Sequence, residues 1–148
     1  MSARATTLRA ALVAVAVVAV DQAVKALVRA TLAPGEQRAL VPGVHLVHAH
    51  NSGVAFSLFS GGGPIVVIVA ALALAALLAF FLTHLQRRLV WVPTGLLVGG
   101  AAGNLTDRVR DGAVTDFLKL PHWPAFNLAD AAITVGVLSL VWVLERGR

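Results

Sequence analysis

The chain has 148 residues, room for one domain and little more. It is 58% hydrophobic and 13% charged, whereas a soluble domain carries about a quarter charged residues, so water is excluded as its main solvent. It has no cysteine, which excludes disulfides, thiolate nucleophiles and cysteine-held metals, and its formal charge of +5 forms no basic stripe interleaved with aromatics, which excludes a nucleic-acid partner.

Four apolar stretches stand out, each near the roughly 20 residues that cross a bilayer as a helix. They predict one domain over residues 1–148, an all-α membrane protein with four transmembrane helices and a small extracytoplasmic β/loop element. The helices are expected at about residues 10–28, 64–83, 89–105 and 125–144. The first carries Asp21 and Lys25. Arg4 and Arg9 before an apolar run also describe a signal peptide, but the later stretches already make the chain polytopic. The connector over residues 31–63 is the longest, and Val44-His45-Leu46-Val47-His48-Ala49-His50 within it partly alternates, as a strand does. Gly61-Gly62-Gly63-Pro64 then breaks the chain before a second stretch that has no charge at all. The third contains Pro93 and the small-residue run Gly99-Gly100-Ala101-Ala102-Gly103, and the fourth contains Asn127 and Asp130. Trp91, Trp123 and Trp142 lie near expected helix ends, where interfacial anchors sit.

Four crossings put both termini and the turn at 83–89 on one side of the membrane. Arg4, Arg9, Arg87, Arg88, Arg146 and Arg148 crowd into the short segments there. Lys25, Arg29, Arg38, Arg108, Arg110 and Lys119 are spread through the longer segments opposite. The density of positive charge predicts cytoplasmic termini.

In that arrangement the unusual polar groups gather at the outer end. Asp21 falls about seven residues before the end of its helix, roughly 10 Å deep at 1.5 Å per residue. Asp130 enters the fourth helix from the same side, Asn104, Asp107 and Arg108 end the third, and Asn51 and Asp116 fall in the two outer loops. Ionisable groups at membrane depth are functional candidates by default. Asp21 and Lys25 are four apart on one helical face, so they read as a neutralising ion pair. Asp130 shares a face with Asn127 but has no basic residue at helical spacing and must find its partner elsewhere. Gly99 and Gly103 read as a close helix contact. Asn104 and Arg108 are open between capping, anchoring and binding a polar ligand. Asp111 reads as a solvated loop charge. His45, His48 and His50 have no recognised ligand spacing, and on a strand His45 faces away from the other two, so no metal is expected.

Asp116 and Asp130 are separated by Pro121-His122-Trp123-Pro124, which gives the chain room to fold back and bring them together. Two close carboxylates share a proton. The ionised one takes a proton from water while the other polarises a carbonyl, so such a pair hydrolyses amides without metal or covalent intermediate. The spacing permits this chemistry without requiring it.

Five segments, in order, resemble the lipoprotein signal peptidase (signal peptidase II) family. They are Asp21-Gln22-Ala23-Val24-Lys25, Asn51-Ser52-Gly53-Val54-Ala55-Phe56-Ser57, Gly99-Gly100-Ala101-Ala102-Gly103-Asn104-Leu105-Thr106-Asp107-Arg108, Gly112-Ala113-Val114-Thr115-Asp116-Phe117 and Phe126-Asn127-Leu128-Ala129-Asp130. The resemblance implies an inner-membrane aspartyl endopeptidase, without cofactor, that cleaves prolipoproteins before a diacylglyceryl-modified cysteine. It implies Asp116 and Asp130 as the catalytic pair. Asn51, Gly53, Asn104, Arg108 and Asn127 would line the site and hold substrate, with Asp21 and Lys25 as structural support. The implied partners are lipid-modified prolipoproteins and membrane lipid, and a monomer is expected.

Rival readings come from other classes. A proton- or ion-coupled transport component would use Asp21 and Asp130 as relays, but it needs polar groups through the whole bilayer depth. A lipid phosphotransferase would use Asp107, Asp111 and Asp116 as metal ligands, but on a helix with a different glycine pattern. A membrane scaffold has no need of Asp130.

Overall fold

The computed structural model describes residues 2–53 and 62–146. Val54, Ala55, Phe56 and Ser57 of the second motif lie outside the described residues, as do Gly61, Gly147 and Arg148.

The first helix, α1 (Ala3–Thr31), is longer at both ends than the apolar run at 10–28. Ser2 caps it, its hydroxyl accepting from the Ala5 N–H at 3.3 Å, and the arginines at either end are good helix formers that a count of apolar residues leaves out. The connector then folds into a hairpin of β1 (Gln37–Val41) and β2 (Val44–Asn51), turned at Pro42-Gly43 with the glycine at φ 80°. The expected strand at 44–50 is therefore present as β2. Its partner β1 is exposed along its whole length, so no alternation marks it in the sequence.

Helices α2 (Gly62–Thr83), α3 (Trp91–Asp111) and α4 (Leu128–Glu145) follow, with strand β3 (Val114–Lys119) between α3 and α4. The sheet order is β1-β2-β3, antiparallel throughout. Asn51 and Asp116 thus lie on strands rather than loops, Asn51 opposite Val114 and Asp116 opposite Ala49. A register shift between Leu46 and Ala49 breaks the alternation of β2 and buries Val47 and His48 in succession. His48 and His50 lie together, ring centroids 4.8 Å apart, while His45 pairs in register with Lys119.

The third helix runs on to Asp111 rather than ending at 105. Its last turns are polar, yet Asp107 within them is fully buried, and Gly112 in the left-handed region closes the helix with an N–H to the Arg108 carbonyl at 3.1 Å. Asp111 is accordingly the last residue of α3, not a loop charge, and is exposed and paired with Arg110 at 2.7 Å. The fourth helix starts at Leu128 rather than 125, because Phe126 returns along β3 and exchanges backbone hydrogen bonds of 2.9 Å with Leu118.

Among the described residues, three helices are long and apolar enough to cross a membrane, at Ala3–Thr31, Pro64–Thr83 and Leu128–Glu145. Leu12, Val15, Val69, Leu72 and Leu138 on them are each at least 60% exposed, more apolar surface than water tolerates. α3 is the central helix, packed on the other three. Small residues allow this: a Cβ at Gly95 would stand 2.5 Å from Val13 Cβ, one at Gly99 would stand 2.7 Å from Val17 Cβ, and one at Gly100 would stand 2.5 Å from the Ala129 carbonyl. The close contact read from Gly99 and Gly103 is found, with Gly103 set against the Asp21 carboxylate.

Apolar clusters close both ends. Val28, Leu32 and Phe117 pack under the sheet, and Ala10, Phe81, Val90 and Val143 pack at the other end, where α1 begins and α4 ends.

Candidate active site

The start of α4 fixes the first carboxylate. Asn127 caps the helix, its side-chain oxygen accepting from the Asp130 N–H at 2.9 Å, while Asp130 Oδ2 accepts from the Asn127 N–H at 3.2 Å. Asp130 is thereby held half-buried in the first helical turn, where the helix dipole favours a negative charge. Asn104 of α3 donates to its other oxygen at 2.8 Å.

The second carboxylate comes from the sheet. Asp116 is 2% exposed in β3, with Asn127 Nδ2 donating to one oxygen at 2.7 Å and Asn51 Nδ2 donating to the other at 3.1 Å. Asn127 therefore binds both acids, through its side chain to Asp116 and its backbone to Asp130. The same amide donates to Asn104 Oδ1 at 3.1 Å, so Asn104 and Asn127 tie β3, α3 and α4 into one network. Burial pushes the Asp116 carboxyl up from 3.8 to about 6; the Asn51 amide opposes this, the Asp130 charge adds to it, and Asn127 and Lys25 pull it back.

Asn51 ends β2 and turns the chain with its side-chain oxygen, which accepts from the Gly53 N–H at 2.9 Å. Gly53 has φ 76° and approaches both Arg108 and α2: a Cβ there would be 3.9 Å from Arg108 Nε and 3.2 Å from Val66 Cγ1. Arg108 Nη1 donates to the Asn104 carbonyl at 3.4 Å, and its Nε is buried without a partner among the described residues. A groove of about 470 Å³ runs between α2, α3 and α4, its walls Ala73, Leu77, Ala101 and Ile133 and its polar end Asn104, Arg108 and Asp130. A second groove of about 480 Å³, along Trp123, Phe126 and Thr134, reaches Asp130 from the far side of α4.

Beneath the pair lies a buried ion cluster. Lys25 Nζ is 2.7 Å from Asp21 and 2.9 Å from Asp107, all three side chains fully buried. Asp21 also accepts the Ala129 N–H at 3.0 Å, which fixes the first turn of α4 against α1.

The profile of the family described as signal peptidase (SPase) II matches residues 13–145. The chain belongs to the signal peptidase II family. It is 41% identical to the lipoprotein signal peptidase of Moorella thermoacetica over 144 residues, covering 93% of this chain and 96% of that one. It is 42% identical to the lipoprotein signal peptidase of Syntrophomonas wolfei, covering 89% and 90%. A solved bacterial membrane enzyme superposes with a TM-score of 0.86 at 33% identity, covering 91% of each chain.

For a signal peptidase II, the sequence-derived residues assemble closely. Asn51, Gly53, Asn104, Arg108, Asp116, Asn127 and Asp130 form one connected set, and Asp21 and Lys25 form the expected ion pair. The second carboxylate on Lys25 was not anticipated. Asp107 lies three residues after Asn104, hence on the same helical face, and that spacing was the available signal. Gln22 was also missed; its amide reaches Asp107 at 2.8 Å and the Gly103 carbonyl at 3.3 Å. Among the described residues, no three His, Asp or Glu side chains group as metal ligands.

Proposed function

We propose that this chain is an aspartyl endopeptidase that removes signal peptides from prolipoproteins, cutting before a diacylglyceryl-modified cysteine. The observation that carries the proposal is the engagement of both acids by Asn127, 2.7 Å from Asp116 and 3.2 Å from Asp130. Two carboxylates fixed on one residue, one of them raised to about 6, suit the sharing of a proton.

In the proposed reaction the ionised member takes a proton from water as the water oxygen attacks the scissile carbonyl carbon. The protonated member donates to the carbonyl oxygen. Collapse of the tetrahedral diol breaks the C–N bond: one diol hydroxyl returns its proton to the carboxylate that donated to the carbonyl, and the proton taken from water passes to the leaving amine. Asn51, Asn104 and Arg108 hold the substrate backbone around the pair, and Gly53 leaves room beside Arg108. The apolar groove ending at Asp130 and Asn104 suits a signal-peptide segment or acyl chain delivered sideways from lipid, with the acids at its polar end.

All four helices cross the bacterial inner membrane in this reading. α3 is shielded by its neighbours, so it needs no continuous apolar surface of its own. Both termini are cytoplasmic and the acids lie near the extracytoplasmic face. The active unit in this reading is a monomer.

The test is to incubate the purified protein with a prolipoprotein carrying the diacylglyceryl cysteine and with the same protein unmodified. Two acyl chains add apolar contact of about 0.8 kcal/mol per buried methylene, so the modified form should be cut far faster. EDTA should leave the rate unchanged. Equal rates on both substrates would remove lipid recognition from the proposal, and loss to EDTA with recovery in a divalent ion would remove the metal-free mechanism.

A further inference from the structure

The end of the molecule opposite the carboxylates holds a second polar feature. The turn between α2 and α3 brings Arg87 and Arg88 beside the last turn of α4, where Arg146 lies with its guanidinium 4.4 Å over the Trp142 ring. Together they line a cavity of about 600 Å³, and Arg87, Arg88 and Trp91 line an adjoining one of about 430 Å³. Among the described residues, none of Arg87, Arg88 and Arg146 has a carboxylate within salt-bridge distance. Arg87 Nη1 and Trp91 Nε1 are buried without an acceptor among the described residues. Val90 leaves the α3 N-terminus without a side-chain cap. Three guanidinium groups, two donors without acceptors and an uncapped helix start thus meet at one place, with no carboxylate in ion-pair contact with Arg87, Arg88 or Arg146 among the described residues.

Such a place takes a tetrahedral oxyanion, because arginine forks match phosphate oxygens and a buried donor without an acceptor is unfavourable. Free phosphate and a lipid headgroup share this chemistry. The surroundings favour the lipid: Trp142 and Val141 continue the rim as exposed apolar surface, 45% and 49% accessible, along a helix apolar enough to span a bilayer. Tryptophan beside arginine is the composition of the headgroup level. We propose that this cavity binds the phosphate of one anionic phospholipid, whose acyl chains lie along α4 and whose headgroup ties the α2–α3 turn to the end of α4.

The experiment uses the full chain purified in detergent and delipidated. Phosphatidylglycerol, phosphatidylcholine and inorganic phosphate are added separately, and bound equivalents by native mass spectrometry and the unfolding temperature are measured. One retained equivalent of phosphatidylglycerol with a raised unfolding temperature is expected, with phosphatidylcholine and inorganic phosphate each at least roughly ten-fold weaker. The exposed pair Arg88→Gln with Arg146→Gln should lose the retained equivalent at unchanged detergent stability. Equal retention of the two lipids, or of phosphatidylglycerol by wild type and variant, would overturn the site. Phosphate alone matching phosphatidylglycerol would overturn its assignment to lipid. Should the double variant not fold, the comparison of ligands on the unaltered chain decides.

Discussion

Lys25 Nζ lies 3.0 Å from Asn104 Oδ1, and the amide nitrogen of the same Asn104 donates to Asp130 at 2.8 Å. One asparagine therefore joins the buried ion cluster of α1 and α3 to a carboxylate of α4. The cluster sets the position of the pair above it, since Asp21 also fixes Ala129, the residue before Asp130. Electrostatics run along the same path, because the Lys25 charge lowers the pKa of Asp116.

Lys25→Met keeps most of the length of the side chain and removes its charge. Asp21 and Asp107, both fully buried, would then lose the cation between them, leaving Asp107 only the more distant Arg110 at 3.5 Å. Breaking a buried pair from one side costs about 3–5 kcal/mol, so a clear fall in unfolding temperature is expected in detergent or nanodiscs. Asp21→Asn should also lower stability and yield. A Lys25→Met protein that melts like wild type would show that the cluster does not hold the helices together.

The raised Asp116 pKa has consequences for pH. Its value of about 6 exceeds the ordinary 3.8, so the folded protein binds this proton more tightly than the unfolded chain. The associated stability is fully present below about 3.8 and is lost as pH rises through about 6. The same ionisation removes the shared proton, so kcat/KM should fall with rising pH along a limb that belongs to the pair. Asn51→Ala deletes a hydrogen bond that lowers the Asp116 pKa and should move that limb upward. A limb at unchanged pH in Asn51→Ala would exclude Asp116 as its source.

Gly100 carries the α3–α4 contact. Its Cβ would fall 2.5 Å from the Ala129 carbonyl, a backbone atom that cannot swing aside. Gly100→Ala should cost about 1–3 kcal/mol as an overpacked contact and should reduce turnover by moving the turn that carries Asp130. Gly112→Ala is the control. Nothing lies within 4 Å of that Cβ, and only φ 73° opposes it, so stability should fall by about 1 kcal/mol with turnover kept. Equal turnover in the two variants would argue against a strict position for α4.

Most of the site was legible because its residues are expensive where they stand. Asp130 and Asn127 interrupt an apolar helix, and Asp21 with Lys25 does so at ion-pair spacing, so each marked itself. The sheet was harder to see. β1 is uniformly exposed and β2 carries a register shift, so neither shows clean alternation, and Asp116 and Asn51 read as loop residues although pairing of β2 with β3 is what aligns them. Helix ends were missed for a related reason: Arg4, Arg29 and Arg108 extend helices that an apolar count stops short. Gln22 was hidden because its partners Asp107 and Gly103 lie on another helix; the place of Asp107 on the face of Asn104 was visible, but its pairing with Lys25 of α1 leaves no spacing along the chain.

The final prediction concerns Asp116 and Asp130 as a unit. Each is held by Asn127 and by one further asparagine, Asn51 for Asp116 and Asn104 for Asp130. An asparagine at either position keeps the shape and an oxygen acceptor but cannot carry the shared proton. Water activation and carbonyl polarisation belong to one step, so Asp116→Asn and Asp130→Asn should each lower turnover roughly a thousand-fold or more. The double variant should be little worse than either single one, because members of a catalytic unit are strongly non-additive. Substrate should still bind, since Asn51, Asn104 and Arg108 are untouched and the apolar groove is unchanged. Turnover of folded variants on a lipidated prolipoprotein, with binding measured separately, separates these effects. Near-normal turnover in Asp130→Asn, or losses that multiply in the double variant, would mean that the two carboxylates do not share one step.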